Sequence, residues 1–375
     1  MASQPLVVIS IDGLDNRYLA EADQRGLKIP TLRKLMREGQ YSEGVIGVAP
    51  TITWPSHTTI ITGVDPVVHG ILGNWRPPGN RYLEYSQIKS PNLIGAAHAA
   101  GLTIATITWP VTVGAPVNWN LPEFFTDRRG GDMDLRSVES KANPPNLVAK
   151  IAADYPSFAQ QWMDDRVRII AALWILRHER PALLLLHLVD LDSEEHDNAP
   201  FTREAYAVLE HTDQLIGEIL AALPSGTAVS VVSDHGFERV DRVVNVRSVA
   251  PNVLQSGSIL VAPDERTAAQ IETLKKDPKY GIGREIPKDE FARFPSTLPA
   301  NPAAVFDSTE GVMFGNVPNG ELFEKPREIG NHGHWPMRYR SVYILWGSGI
   351  PHQVLPAMSL KDIAPRLAAV TGTPF

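Results

Sequence analysis

The feature of this sequence that most constrains its fold is a set of short apolar runs that stop at acidic or histidine side chains. Apolar runs of this length, bounded by Gly, Asp and Ser, predict buried strands of an α/β sheet. Ligands of open sheets bind at the carboxyl ends of such strands, so the side chains that follow them should share one edge. The runs at 6–11, 183–189 and 229–232 and a Gly-Asn-His-Gly segment supply Asp12, Asp192, His196, Asp234, His235 and His332. We predict that these side chains converge as a metal site.

Segments with helical patterns alternate with these runs. Residues 30–39 begin with Pro and end with Gly, as helices often do. Residues 203–223 carry apolar side chains at helical spacing, and a helix followed by a strand is predicted at 93–101 and 103–108. This alternation predicts an α/β fold with a doubly wound, mostly parallel sheet flanked by helices.

A hydroxyl-rich segment follows another apolar stretch, 45–48, and contains Thr51 and Thr53. We expect it to place hydroxyl groups at the same strand-end edge. Two divalent cations beside a hydroxyl form a phosphoryl-transfer or sulfuryl-transfer site, because the cations polarise the substrate and activate the attacking oxygen. The chain has a formal net charge of −7. Two such cations would outweigh three aspartates and supply the local positive charge that an anionic substrate needs.

Several short motifs occur in an order that is more specific than any one of them. They are Ser10-Ile11-Asp12-Gly13, the run Thr51 to His57, His69-Gly70-Ile71 with Asn74, Asp192 with His196, Ser233-Asp234-His235-Gly236, and His332-Gly333. Together they resemble the nucleotide pyrophosphatase/phosphodiesterase family of the alkaline phosphatase superfamily. The resemblance runs from residue 6 to the end of the chain, where 342–347 and 362–365 look like that family's final strand and helix.

The resemblance implies a role for each matching side chain. Thr53 would be the nucleophile, and Thr51 would be a structural neighbour. Asn74 would bind a phosphate oxygen together with the Thr53 backbone N–H. The predicted ligand sets for two zinc ions are Asp192, His196 and His332 for one, and Asp12, Asp234 and His235 beside the Thr53 oxygen for the other. Manganese or iron also fit these ligand types.

The expected activity is that of a two-metal hydrolase. It would cleave phosphodiester or pyrophosphate bonds of nucleotide-like substrates through a covalent phosphothreonine intermediate. The expected partner is a small phosphate ester or nucleotide, not a nucleic-acid duplex. The alternatives are a phosphonoacetate hydrolase-like enzyme or a phosphomonoesterase of the same superfamily. The chain has no Cys, and no Ser-x-Pro-x-Arg sequence occupies the nucleophile position, which disfavours a sulfatase. The intact Thr53 disfavours a non-catalytic protein in which metal only stabilises the fold.

Side chains near these motifs carry further expectations. Trp54, next to the predicted nucleophile, is predicted to stack on a base or another flat leaving group. Glu195 is a solvated side chain or a partner of a ligand, and the solvated interpretation is favoured. His187 lies inside an apolar run, which is typical of a core histidine. Arg128 and Arg129 would be solvated or would bind a distal phosphate.

Two stretches interrupt the alternation of strands and helices. Residues 111–158 are rich in Pro, Asn, Asp and Gly and are predicted to be long surface excursions. Residues 241–330 contain strand-like and helical segments that resemble the family's small α/β cap. We therefore predict a metal-binding catalytic core formed by 1–240 and 331–375, and a cap-like insertion at 241–330 that chooses the leaving group.

Composition excludes other classes of protein. No segment reaches the roughly 18 uninterrupted apolar residues of a membrane span. The absence of Cys excludes disulfides and thiolate metal sites without fixing a compartment. The first residues lack a basic segment and a long apolar stretch, so the chain as given carries no predicted secretory signal. Both a cytoplasmic protein and a trimmed exported protein fit this start, and the sequence predicts no oligomeric state.

Overall fold

The computed structural model describes residues 3–76, 79–125, 134–158, 163–315 and 320–375. Its helices are α1 Asn16–Ala20, α2 Pro30–Glu38, α3 Thr53–Thr62, α4 Pro66–His69, α5 Leu93–Ala99, α6 Leu135–Glu139, α7 Leu147–Asp154, α8 Asp165–His178, α9 Asp190–Asn198, α10 Arg203–Ala222, α11 Glu265–Lys275, α12 Lys288–Ala292 and α13 Ile363–Thr371. Within these ranges, no helix has the length and apolar character needed to cross a lipid bilayer.

The strands belong to one large sheet and several small ones. They are β1 Leu6–Ile11, β2 Gln40–Ser42, β3 Val45–Ile46, β4 Trp75–Arg76, β5 Asn80–Arg81, β6 Ile104–Ile107, β7 Trp119–Leu121, β8 Leu183–Leu188, β9 Ala228–Val232, β10 Glu238–Arg239, β11 Arg242–Val244, β12 Leu254–Ser256, β13 Ile259–Ala262, β14 Ile282–Glu285, β15 Ala304–Ser308, β16 Val312–Phe314, β17 Phe323–Glu324, β18 Gly330–Asn331, β19 Tyr343–Trp346, β20 Gln353–Leu355 and β21 Met358–Ser359. The order in the large sheet is β20-β2-β19-β9-β1-β8-β6-β7. Only β19 runs antiparallel to its neighbours in this sheet.

The central strand β1 is buried on both faces because helices cover both sides of the sheet. Val7, Ile9 and Ile11 pack into one apolar cluster with α8 and α10. Leu6 and Val8 pack into another with α3, α5 and α13. Full burial of each such side chain contributes about 1.5 to 3 kcal/mol, which explains the continuous apolar runs. The predicted doubly wound, mostly parallel α/β fold is confirmed.

Two segments differ from what their sequence patterns suggest. The apolar stretch 45–48 forms only the short strand β3, which pairs with β21 outside the large sheet. The interval 111–158 is not only a surface excursion, because β7 joins the edge of the large sheet parallel to β6. Leu121 and Val138 of this interval are buried in the core. Their isolated apolar side chains give too weak a periodic pattern to predict these contacts.

A second, smaller sheet lies within 241–330. Its strand order is β12-β13-β15-β14. Leu260 and Phe306 of this sheet pack with Ile271 of α11 in an apolar cluster of their own. The turn between β12 and β13 contacts the core, since a Cβ on Gly257 would lie 2.0 Å from the Gly333 carbonyl oxygen. The small sheet is therefore anchored next to His332.

Candidate active site

Three adjacent strands bring the predicted ligands together. β1 lies between β8 and β9 in parallel register. Asp12 follows β1, α9 carries Asp192 and His196 just after β8, and Asp234 and His235 follow β9. The carboxyl ends of parallel strands meet at one edge, so these side chains converge. His332 arrives from β18, which pairs with β10 shortly after His235.

One candidate ligand group consists of Asp192, His196 and His332. The His196 Nε2 atom lies 3.5 Å from Asp192 Oδ2, and the His332 Nε2 atom lies 3.7 Å from Asp192 Oδ1. The opposite ring nitrogens face the backbone: His196 Nδ1 lies 3.1 Å from the Gly330 carbonyl oxygen and His332 Nδ1 3.3 Å from that of Thr51. These contacts orient both imidazole rings with Nε2 toward the carboxylate, as in metal-binding histidines.

A second group surrounds His235. Its Nε2 atom lies 3.3 Å from Asp12 Oδ1 and 3.1 Å from Asp234 Oδ2. Ligand atoms of Asp12, Asp192 and His235 all lie within 4.8 Å of one another. The His235 and His332 rings stack with their centroids 3.7 Å apart, so the two groups are side by side. Asp192 thus faces both groups, a position that its place in the sequence does not reveal.

The polar atoms of this cluster lack the hydrogen bonds that buried groups normally have. Asp12 Oδ1, Asp192 Oδ1, Asp234 Oδ2 and both His235 ring nitrogens are buried without a hydrogen-bond partner. Leaving a buried polar atom unpaired costs about 1 to 3 kcal/mol, and more for a charged one. Carboxylate oxygens and imidazole nitrogens without thiolates suit zinc and similar cations. The residues present therefore fit a pair of divalent metal ions.

The protonation of these groups reflects their burial, to which charged neighbours add. Burial, with added repulsion from Asp234 and Asp192, raises the pKa of Asp12 well above its ordinary value. Burial raises the pKa of Asp192 to about 6 and that of Asp234 to about 7. Burial together with the neighbouring His196 lowers the pKa of His332 to about 3, so its ring stays neutral. Although burial lowers it, Asp192 and Glu328 raise the pKa of His196 to about 9. A bound cation would displace that proton and favour the ionised carboxylates, because neutral imidazole and carboxylate are the ligand forms.

Thr53 is the first residue of α3, where helix N–H groups are not used within the helix. The Trp54 backbone N–H donates to Asn74 Oδ1 at 3.0 Å. Because this bond fixes the amide oxygen of Asn74, the NH2 group of Asn74 must point elsewhere and can donate. Thr53 and Asn74 are thus held beside each other. By contrast, the Thr51 hydroxyl donates to the His334 carbonyl oxygen at 2.7 Å.

The structure contradicts the predicted stacking role of Trp54. Its side chain is only 3% exposed and packs with Ile71, Tyr82 and Val111. The Arg81 guanidinium lies 5.1 Å from the centre of the indole ring, which also meets Phe125 edge-on. A ring covered in this way has no free face for a base. The prediction failed because the aromatic neighbours come from segments distant in sequence.

The solvated interpretation of Glu195 was also wrong. The side chain is fully buried and accepts a hydrogen bond of 2.6 Å from the Tyr18 hydroxyl. Glu195 projects from α9 between Asp192 and His196, so it is part of the structure that supports the ligands. Arg128 and Arg129 lie outside the described residues.

Two further side chains at the site were not predicted as functional. His187 is a buried core histidine, as expected, but its Nε2 atom lies 3.0 Å from Asp12 Oδ2. Glu123 is buried, and its Oε2 atom has no hydrogen-bond partner. Burial raises the pKa of Glu123, while the charge of Arg168 lowers it and that of Asp192 raises it further. His187 lies inside the apolar run 183–189 and far from Asp12 in sequence, so only the pairing of β1 with β8 reveals the first contact. Nothing in the local sequence of Glu123 signals the second.

Comparisons with known proteins find a matching family model and several similar proteins. The family model described as type I phosphodiesterase / nucleotide pyrophosphatase matches residues 6–333. Human ectonucleotide pyrophosphatase/phosphodiesterase family member 1 is 24% identical over 251 residues, which cover 63% of this chain and 24% of the human protein. Venom phosphodiesterase 2 of Crotalus adamanteus is 25% identical over 266 residues, which cover 66% of this chain and 29% of the venom protein. The match thus spans about a quarter of the length of these relatives.

Solved structures show the same fold along the whole chain. Murine ectonucleotide pyrophosphatase / phosphodiesterase 5 superposes with a TM-score of 0.66 at 19% identity, covering 99% of this chain and 96% of that one. An inactive form of the same murine protein in complex with AMP superposes equally well, with a TM-score of 0.66.

Proposed function

The chain belongs to the type I phosphodiesterase / nucleotide pyrophosphatase family, and we propose that it hydrolyses phosphodiester or pyrophosphate bonds of nucleotide-like substrates through a phosphothreonine intermediate. The motif resemblance is thereby confirmed at the level of the family. The observation that carries the proposal is the cluster of buried, unpartnered carboxylate and imidazole atoms beside the first turn of α3.

Two divalent metal ions would be held by the two ligand groups around Asp192. When bound, such ions lower the pKa of a coordinated hydroxyl and neutralise charge on phosphoryl oxygens. The ligand chemistry favours zinc. His196 and His332 would serve through Nε2, since their Nδ1 atoms face backbone carbonyl groups. His235 would supply Nε2 between Asp12 and Asp234.

The side chains of α3 and Asn74 would carry out the covalent step. The Thr53 hydroxyl gives up its proton to solvent and its oxygen attacks phosphorus. A P–O bond forms, and the bond to the leaving alcohol or phosphate breaks with its electron pair on the departing oxygen. The Asn74 NH2 group and the Thr53 N–H donate to a non-bridging oxygen in the transition state. Water then attacks phosphorus on the opposite side, which releases a monoester and restores the Thr53 hydroxyl.

The substrate class follows from the relatives and is proposed on that ground. The relatives are described as nucleotide pyrophosphatases/phosphodiesterases and as venom phosphodiesterases, and a structural neighbour binds AMP. We propose a nucleotide or a small phosphate diester as substrate. Since Trp54 is covered, we do not propose it as the surface that receives a base.

The insertion 241–330 is proposed as a cap that selects the leaving group. A cavity beside the His332–Gly333 turn is lined by core and insertion residues together, including Pro50, Leu72, Ser256 and Leu298. Apolar and hydroxyl side chains dominate this lining, so the cavity suits an uncharged part of the leaving group. The anchoring of the β12–β13 turn on Gly333 keeps the insertion next to the ligands.

One experiment separates this function from its alternatives. Metal content should be measured by emission spectroscopy, and hydrolysis should be measured on bis(4-nitrophenyl) phosphate, 4-nitrophenyl phosphate and phosphonoacetate. We expect about two zinc ions per chain and a preference for the diester. A preference for the monoester or for phosphonoacetate would replace the proposed reaction. Full activity after exhaustive chelation would remove the metal mechanism altogether.

A further inference from the structure

We propose that His187 is a positioning residue that holds the Asp12 carboxylate with its Oδ1 atom turned toward the metal site. The proposal rests on the proposed function in one respect: it takes Asp12 as a metal ligand. It assigns a function to a histidine that the sequence marks only as part of the core.

The two oxygens of Asp12 have different surroundings. Oδ2 lies 3.0 Å from His187 Nε2. Oδ1 has no hydrogen-bond partner and lies 3.3 Å from His235 Nε2. The Thr108 carbonyl oxygen can only accept, so His187 Nδ1 carries a proton. The contact with Asp12 then uses a second proton, which lies on Nε2 or on Oδ2, and Oδ2 is occupied in both cases. Oδ1 is therefore the oxygen left for a cation.

The orientation of the His187 ring is set by Thr108. The Thr108 hydroxyl donates to the His187 carbonyl oxygen at 2.8 Å, and the Thr108 carbonyl oxygen lies 3.1 Å from His187 Nδ1. Thr108 has a φ of +47°. A β-branched residue rarely adopts this conformation, and it persists only where the surroundings enforce it. Here the unfavourable backbone conformation turns the carbonyl group toward the histidine.

Arg168 holds Thr108 in turn. The buried guanidinium of Arg168 donates from Nε to Thr108 Oγ1 at 3.1 Å and from Nη1 to Asp165 Oδ1 at 3.1 Å. Asp165 accepts from the Val189 backbone N–H at 2.7 Å, just after β8. The ring of His187 is thus fixed from two sides. Thr108, which Arg168 of α8 holds, contacts Nδ1, and Asp12, which follows β1, contacts Nε2. A histidine that only fills core volume would not need this set of directional contacts.

Residues that orient metal ligands affect metal affinity, typically by about 10- to 100-fold when they are replaced. His187→Asn and His187→Gln form a matched pair for a test. The Asn amide nitrogen can reach the place of Nδ1 and keep the Thr108 contact, whereas the longer Gln side chain can reach the place of Nε2 and keep the Asp12 contact. Both variants lose the ring from the core.

Zinc dissociation constants should be measured on the full chain by competition with a chelator of known affinity, and thermal unfolding should be measured in parallel. We expect similar losses of stability in the two variants. Zinc affinity should fall by about 10- to 100-fold in His187→Asn and remain near wild type in His187→Gln. Thr108→Val, which removes only the hydroxyl contacts, should weaken zinc binding by a smaller factor.

Wild-type zinc affinity in His187→Asn, or equal losses in the Asn and Gln variants, would overturn the proposal. If both His187 variants fail to fold, an unchanged zinc affinity in Thr108→Val would overturn it. The Asp12→Asn variant tests the proposed function separately from the role of His187. Unchanged zinc binding in this variant would show that Asp12 is not a ligand. That result would count against the proposed function before any conclusion about His187.

Discussion

Two threonines of the same segment have different surroundings. The Thr51 hydroxyl donates to the backbone carbonyl of His334, so it supports the turn that carries His332. Thr53 begins α3, and its carbonyl oxygen lies 2.9 Å from His57 Nδ1. His57 Nδ1 also lies 3.5 Å from Asp234 Oδ2. This histidine therefore connects the first turn of α3 to a candidate ligand.

Replacement of Thr53 by Ala should remove nearly all turnover, because the methyl group of Ala cannot supply the attacking oxygen. Zinc content and the melting temperature should stay near wild type. Thr53→Ser should keep partial activity, since it retains the hydroxyl and loses only the γ-methyl that restricts the rotamer. Steady-state kinetics on bis(4-nitrophenyl) phosphate measure these effects.

The control for this prediction is Thr51→Ala. It should retain substantial activity while losing stability by about 1 kcal/mol from the missing hydrogen bond. Mass spectrometry of acid-quenched turnover should find the phosphoryl group on the peptide that contains Thr53. A phosphorylated Thr51, or an active Thr53→Ala variant, would show that the nucleophile was assigned in the wrong register.

Glu123 is a buried acid whose ionisation should be visible in the pH dependence of stability. Burial raises the pKa of Glu123 to about 8, although Arg168 and Arg81 oppose the shift. In the unfolded chain its pKa returns to the ordinary value of about 4.3. The folded state therefore binds the proton more tightly, and the stabilisation is present at low pH and lost as the pH rises toward 8.

In chelator-treated protein, Glu123→Gln should become more stable relative to wild type as the pH rises from 5 to 8. The neutral amide has no proton to lose, while the wild type loses up to about 4 kcal/mol over this range. Denaturant unfolding at several pH values measures the difference. A constant difference between the two proteins across the range would mean that Glu123 is ionised in the fold throughout.

At the scale of elements, the turn between β12 and β13 lies directly against the turn that carries His332. Gly257 has a φ of +56°, and a Cβ there would lie 2.0 Å from the Gly333 carbonyl oxygen. Backbone atoms cannot move aside as a flexible side chain can. Any side chain at Gly257 should therefore push the insertion away from the candidate metal ligands.

Gly257→Ala should weaken zinc binding at the His332 group and lower stability more than Gly226→Ala does. Gly226 has a φ of +81°, and an added Cβ there would have nothing within 4 Å. Gly226→Ala therefore measures only the cost of the left-handed backbone conformation, roughly 1 to 2 kcal/mol. Chelator competition and thermal unfolding measure both effects. Equal behaviour of the two variants would show that the contact between insertion and core does not influence the ligands.

At the scale of the whole molecule, the candidate ligand cluster joins the carboxyl ends of the three adjacent strands β1, β8 and β9. Removal of zinc by a chelator should lower the melting temperature, because buried carboxylates then repel one another without a cation. Free zinc at one hundred times its dissociation constant should stabilise each site by about 2.7 kcal/mol. Thermal scans at several zinc concentrations measure the effect, and Asp192→Asn should reduce it, since Asp192 faces both ligand groups.

Much of the fold could be predicted because strong local patterns coincide with its central elements. The runs that became β1, β8 and β9 are apolar throughout, since helices cover both faces of the large sheet. The helices predicted at 30–39 and 203–223 are Pro30–Glu38 and Arg203–Ala222. The edge strand β7 was missed because it is only three residues long and its neighbours in sequence resemble a loop.

The sequence by itself determined the family, the α/β architecture and the set of side chains that meet at the strand ends. Motif order and strand periodicity are local properties, and the parallel sheet brings their ends together without further information. Only the tertiary structure decided that Trp54 is covered, that Glu195 is buried, and that His187 contacts Asp12. Those outcomes depend on Arg81, Tyr18 and Thr108, which come from other parts of the chain. Burial and hydrogen bonding between distant segments are properties of packing, and no local pattern in the sequence specifies them.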